Sequence, residues 1–170
     1  MSVATVPTGL TRGIDATRLA LAAAGPIAIG GVLALRAGDP SPLAATPAIV
    51  FGIAAATCPA LYIAIAATKQ APTLAGVVRA LGTSFGAFGI ALAGLVLPAL
   101  FLSLSSTSEI TTFAVCSVVL GGAAVLAMVR LAGELAPKTF MGGLVCFVWA
   151  AATLGIAGRL WFDLAAEVLL

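Results

Sequence analysis

Five long stretches of this chain, 19–35, 43–68, 80–104, 110–129 and 140–158, carry no charge at all. Its eight basic and six acidic residues all lie between or outside them. A helix needs about 20 mostly apolar residues to cross the roughly 30 Å hydrocarbon core of a bilayer. The five stretches are close to that length or above it. The pattern predicts an all-α integral membrane protein: a five-helix transmembrane bundle with short loops and a short amphipathic carboxyl-terminal tail at 159–170.

Composition makes the same demand from the solvent's side. With 62% hydrophobic and 8% charged residues, the chain cannot cover a water-exposed surface. Little length remains outside the five stretches, so one transmembrane domain over 1–170 is expected, with no separate soluble module. Six Arg and two Lys are scattered at helix ends rather than clustered on one face. That distribution argues against nucleic acid as a partner. The bilayer is the expected surrounding.

The charges also give a direction. Arg12 and Arg18 precede the first stretch, Lys69 and Arg79 follow the second, and Arg130 and Lys138 follow the fourth. The other side receives only Arg36 and Arg159. Basic residues gather on the cytoplasmic side of membrane proteins, so the amino terminus is expected inside and the carboxyl terminus outside. This partition requires an odd number of spans. The first stretch is longer than a signal-peptide core and has no clear cleavage site after it, so it is read as a retained helix. The abundance of Ala, Gly and Val points to a bacterial inner membrane.

Connectors are marked by breakers. The segment 36–42 contains Gly38, Pro40 and Pro42, while Pro72 and Pro137 stand in the two connectors expected on the inner side. The segment 103–109 is rich in Ser and Thr that can cap the fourth helix. Arg130, Glu134 and Lys138, and again Arg159, Asp163 and Glu167, recur every four residues and predict ion-pair stripes. Trp161 and Phe162 are expected at the outer headgroup level.

Helices gain no hydrophobic energy by meeting in lipid, so small residues that let backbones approach should hold the bundle. Gly52, Ala56 and Ala60 in the second helix and Gly82 and Gly86 in the third repeat every four residues. These two helices are the expected tight packers. Dimerisation through the same motifs is the alternative use.

Prolines interrupt the first three helices at Pro26, Pro47, Pro59 and Pro98. Each removes a backbone hydrogen bond that lipid cannot replace. Gly25, Pro26, Thr57, Pro59, Gly121 and Gly122 fall near mid-membrane and form a candidate kink site. Ordinary packing kinks, with Thr57 bonded to a carbonyl of its own helix, produce the same pattern.

The chain has no histidine and no charged residue within a span. A His-based hydrolase, an HExxH metalloprotease, bis-histidine haem ligation and a pair of intramembrane aspartates are therefore absent from the sequence. Cys58, Cys116 and Cys146 lie in three different stretches without Cys-x-x-Cys spacing and behave as small apolar residues. No cofactor and no metal is expected. The reading is a noncatalytic accessory, scaffold or assembly subunit that packs against other membrane subunits or itself. The alternative is a small channel or carrier for an uncharged or lipid-like solute through the Pro-containing helices 1–3.

Overall fold

A computed structural model describes residues 16–68, 73–135 and 139–169. It is an all-α bundle of five helices: α1 (Ala16–Ala37), α2 (Ser41–Ala67), α3 (Leu74–Ser105), α4 (Glu109–Leu135) and α5 (Phe140–Leu169). Helices α2 to α5 are each long and apolar enough to cross a membrane. In α1 the apolar segment is the shorter Ala22–Ala37. Pro26, Pro47, Pro59 and Pro98 all lie inside helices that continue past them.

Caps, rather than charges, set the helix ends. Gly38, at φ +70°, takes the left-handed conformation that ends α1, and its N–H donates to the Ala34 carbonyl at 3.0 Å. Asp39 then accepts from the Ser41 N–H at 3.1 Å and from the Ser41 hydroxyl, which turns the chain into α2. These bonds to its charged form hold the Asp39 carboxyl below the usual carboxylate range. Thr73 Oγ1 accepts from Gly76 N–H at 3.2 Å and opens α3, ahead of the exposed Arg79. Thr139 Oγ1 does the same for Gly142 at the start of α5. Ser108 Oγ accepts from Thr111 N–H at 3.4 Å at the start of α4.

Helices therefore overrun the charge-free stretches on which they are centred. α4 continues through Arg130 and Glu134, paired at 3.0 Å, and α5 continues through Arg159 and Asp163, paired at 3.1 Å. The expected carboxyl-terminal tail is the last third of α5 rather than a separate element. Lys69, Pro72, Pro137 and Lys138, together with the Glu167 side chain, lie outside the described residues.

α1 is the hub. It packs closely on α2 and α3 and also reaches α4, while α3 packs along α4 and α2 along α5. Its buried residues Ala22, Gly25, Pro26, Ile29, Gly30 and Leu33 follow helical spacing. A Cβ added at Gly30 would come within 2.4 Å of the Pro42 carbonyl oxygen, and one at Gly25 within 2.8 Å of Leu92. These glycines let α1 approach the backbones beside it. Arg36 closes the same end of the bundle, its Nη2 donating to the Thr107 carbonyl between α3 and α4.

The closest packing falls on α1–α3 and α3–α4, so of the two expected tight packers α3 has a close neighbour on either side, while α2 packs on α1 and α5. α2 and α3 meet through the Phe51 and Phe85 rings, whose centroids are 5.9 Å apart, and in the cluster that holds Leu61, Ile65 and Ala80. Gly86 is buried and Gly82 half-buried, but Gly52, Ala56 and Ala60 are exposed. The helical phase explains the difference: α2 buries Thr46, Ile53, Leu61 and Ile65 and turns its small residues outward.

Buried side chains form two clusters. One joins Ile29, Val32 and Leu33 to Phe88, Leu92, Ala99, Cys116 and Ala123. The other joins Leu61, Ile65, Ala80, Leu131 and Cys146. Large apolar side chains such as Leu97, Val118 and Phe147 are more than 70% exposed, a surface compatible with lipid.

Candidate functional site

Between the two clusters the helices do not close. A cavity of about 300 Å³ lies among α2, α3, α4 and α5, reached by Phe88 of the first cluster and Leu131 of the second. Ile49, Ile53, Ala54, Thr57 and Cys58 come from α2, and Leu81, Ser84, Phe85 and Phe88 from α3. α4 supplies Ser117, Leu120, Gly121, Ala124 and Met128, and α5 supplies Trp149, Thr153, Leu154, Gly158 and Trp161. Among the described residues, none of α1 stands on the wall.

The polar atoms on the wall are mostly committed to the protein. Thr57 donates to the Ile53 carbonyl at 2.8 Å, Ser84 to Ala80 at 2.7 Å and Ser117 to Phe113 at 2.7 Å. Each bond runs back to the carbonyl of the preceding turn, which is how a hydroxyl satisfies itself within a helix. Trp149 Nε1 crosses from α5 to donate to the Thr57 carbonyl at 2.9 Å. Trp161 Nε1 donates to Ser117 Oγ at 2.7 Å, with its ring stacked on Phe113 at 5.1 Å. The two indoles therefore tie α5 to α2 and to α4. Thr153 is different: it is buried, and its hydroxyl has no hydrogen-bond partner among the described residues.

The six residues of the predicted kink site do not converge. Thr57 and Gly121 line the cavity, whereas Pro59 and Gly122 are exposed. Gly25 and Pro26 are buried in α1, where Gly25 fits against Leu92. Trp161 is half-buried against Phe113 and Ser117. The signal for this was present in the sequence: Trp149, Thr153, Ala157 and Trp161 recur every four residues on one face of α5.

All three cysteines are free, Cys58 on the cavity wall and Cys116 and Cys146 buried. Among the described residues no three of Cys, Asp and Glu gather as a metal-ion set. Comparison of the chain with protein-family models, with curated proteins and with solved structures found no match.

Proposed function

We propose that this protein is a multi-pass membrane protein whose work is to pack against other membrane helices, as an accessory or assembly subunit without catalysis. The observation that carries the reading is the outer face of α2. Ala44, Ala48, Gly52, Ala56 and Ala60 follow one another at four-residue spacing, and all are exposed. A Cβ added at Gly52 would meet nothing within 4 Å. The other helices expose glycines too, such as Gly94, Gly122 and Gly155, but set them among large side chains: Leu97 and Phe101 on α3, Val118 and Val129 on α4, Phe140 and Phe147 on α5. Lipid tails are served equally well by any large apolar side chain, whereas small residues favour close approach by another backbone.

In this reading all five helices cross the bilayer. α1, with 22 residues, is about 33 Å long at the α-helical rise, enough to span the hydrocarbon core. The six-to-two partition of basic residues supports a cytoplasmic amino terminus, and the Ala-, Gly- and Val-rich composition supports a bacterial inner membrane. A channel or carrier through helices 1–3 has less behind it. Gly25 and Pro26 are packed in, and the hydroxyls of Thr57, Ser84 and Ser117 are bonded to their own helices.

Native mass determination after extraction in a mild detergent tests the proposal. The expected result is a complex heavier than the 16.7 kDa chain, either a homo-oligomer or an assembly with another membrane protein. A single chain with no bound protein would overturn it.

A further inference from the structure

Nothing on the wall of the cavity among α2, α3, α4 and α5 calls for a polar guest. No Asp, Glu, Lys or Arg lines it, and both indole N–H groups and the hydroxyl protons of Thr57, Ser84 and Ser117 are already donated to protein atoms. The Thr153 oxygen is itself buried and offers no surface to an occupant. What remains is an apolar space of about 300 Å³.

Its shape narrows the choice. From Ser117 to Leu131 the wall follows α4 for about 21 Å, and from Trp149 to Trp161 it follows α5 for about 18 Å, at the α-helical rise per residue. A volume of about 300 Å³ drawn out over that length is a slot. It is too narrow for another helix, which is about 10 Å across with its side chains. It is long enough for a hydrocarbon chain, since one leaflet of a bilayer holds about 15 Å of hydrocarbon. The slot runs along α4 and α5, so in a membrane it lies in the direction of the lipid chains.

One side of the slot is thinly closed. α4 and α5 touch sparsely, and Gly121 on α4 and Gly158 on α5 both line the slot and are exposed. A Cβ added at either glycine would meet no atom within 4 Å. Two bare backbones therefore flank an opening toward the medium that surrounds the bundle.

We propose that the slot holds one acyl chain of a bilayer phospholipid, which enters sideways between Gly121 and Gly158 and lies along α4 and α5. Apolar contact along the wall supplies the affinity. The inference rests on the placement of the bundle in a bilayer, and not on what the outer face of α2 recruits.

The full chain is reconstituted in vesicles of dioleoylphosphatidylcholine, with or without bromine added across the oleoyl double bonds. Bromine quenches indole fluorescence at short range, and the chain's two tryptophans both stand on the wall. Gly121→Leu/Gly158→Leu fills the opening, and Ala124→Leu/Ala157→Leu fills the slot from facing walls. The wild type should be quenched more strongly than either double variant, with helicity by circular dichroism unchanged. Equal quenching in all three overturns the site. Native mass spectra of the wild type, extracted from unbrominated vesicles in a mild detergent, need no variant and decide if the variants lose helicity. One phosphatidylcholine per chain, whatever the number of chains in the complex, should survive the collision energy that strips the rest. A bare chain overturns the proposal, and a retained molecule of another mass in place of phosphatidylcholine overturns the bilayer as its source. Flotation separates the two levels of the argument. A wild type that fails to float with the vesicles overturns the membrane placement and this site with it, whereas floating with equal quenching overturns the site alone.

Discussion

Glycine has opposite duties at two positions of this chain. Gly30 faces the start of α2, where a methyl group would meet the Pro42 carbonyl oxygen at 2.4 Å, while Gly52 faces open space. Gly30→Ala is expected to lower stability by about 1–3 kcal/mol through overpacking. Gly52→Ala is expected to be neutral or to stabilise by up to about 1 kcal/mol, because alanine is the better helix former. Thermal melts in one detergent, followed by circular dichroism, check both. Sequence reading marked Gly25 for a kink and passed over Gly30, although Gly30 and Ala34 have small-xxx-small spacing. Their partners, Leu92 and the turn at Pro42, become visible only when α1 is placed between α2 and α3. Asp39 gives a second prediction. Its carboxyl is held below the usual range by Ser41, so the contribution is complete above the unfolded-state pKa and is lost as pH falls through the folded-state value. In melts across acidic pH, Asp39→Asn should lose part of the wild type's dependence on acid; an identical slope in both would contradict the role given to this turn.

Helices end here where a side chain or a turn satisfies the backbone, and charge marks something else. The spans read from charge gave each helix its position and underestimated its length, because Arg79, Arg130 and Arg159 are compatible with helix and stop only the apolar run. Thr73 illustrates the distinction: its hydroxyl accepts from Gly76 N–H and begins α3. Thr73→Ala should destabilise by about 0.5–2 kcal/mol, the usual effect of removing an amino-terminal cap. Glu134→Gln, which breaks the Arg130 pair on an exposed surface, should change stability by less than about 1 kcal/mol. The same thermal melts rank the two variants, and a larger effect at Glu134 would mean that the pair is buried in an assembly. Small-residue repeats were legible along α2, but their direction was not. Phase along the helix decides it, and the phase is set by where Ile53, Leu61 and Ile65 find partners.

Across the whole molecule, the number of helices and their apolar character could be read from charge alone, whereas their neighbours could not. Antiparallel order follows from short connectors, but no residue pattern announced that α1 would be the hub or that α2 and α3 would stand apart around a cavity. The cavity was half legible. Thr57 and Gly121 were singled out for depth, while Trp149, Thr153 and Trp161 join the site because four helices converge on it. The arrangement that results has α1 as its hub, a surface on which large apolar side chains predominate, and a run of small residues along the outside of α2. Membrane association through that face is the central claim. It is tested most directly by native mass spectrometry of the wild type and of Gly52→Leu/Ala56→Leu, extracted side by side in the same mild detergent. The wild type should exceed the 16.7 kDa of one chain, and the variant should fall to it with helicity unchanged. Equal masses for the two, whether single-chain or assembled, would contradict docking through α2.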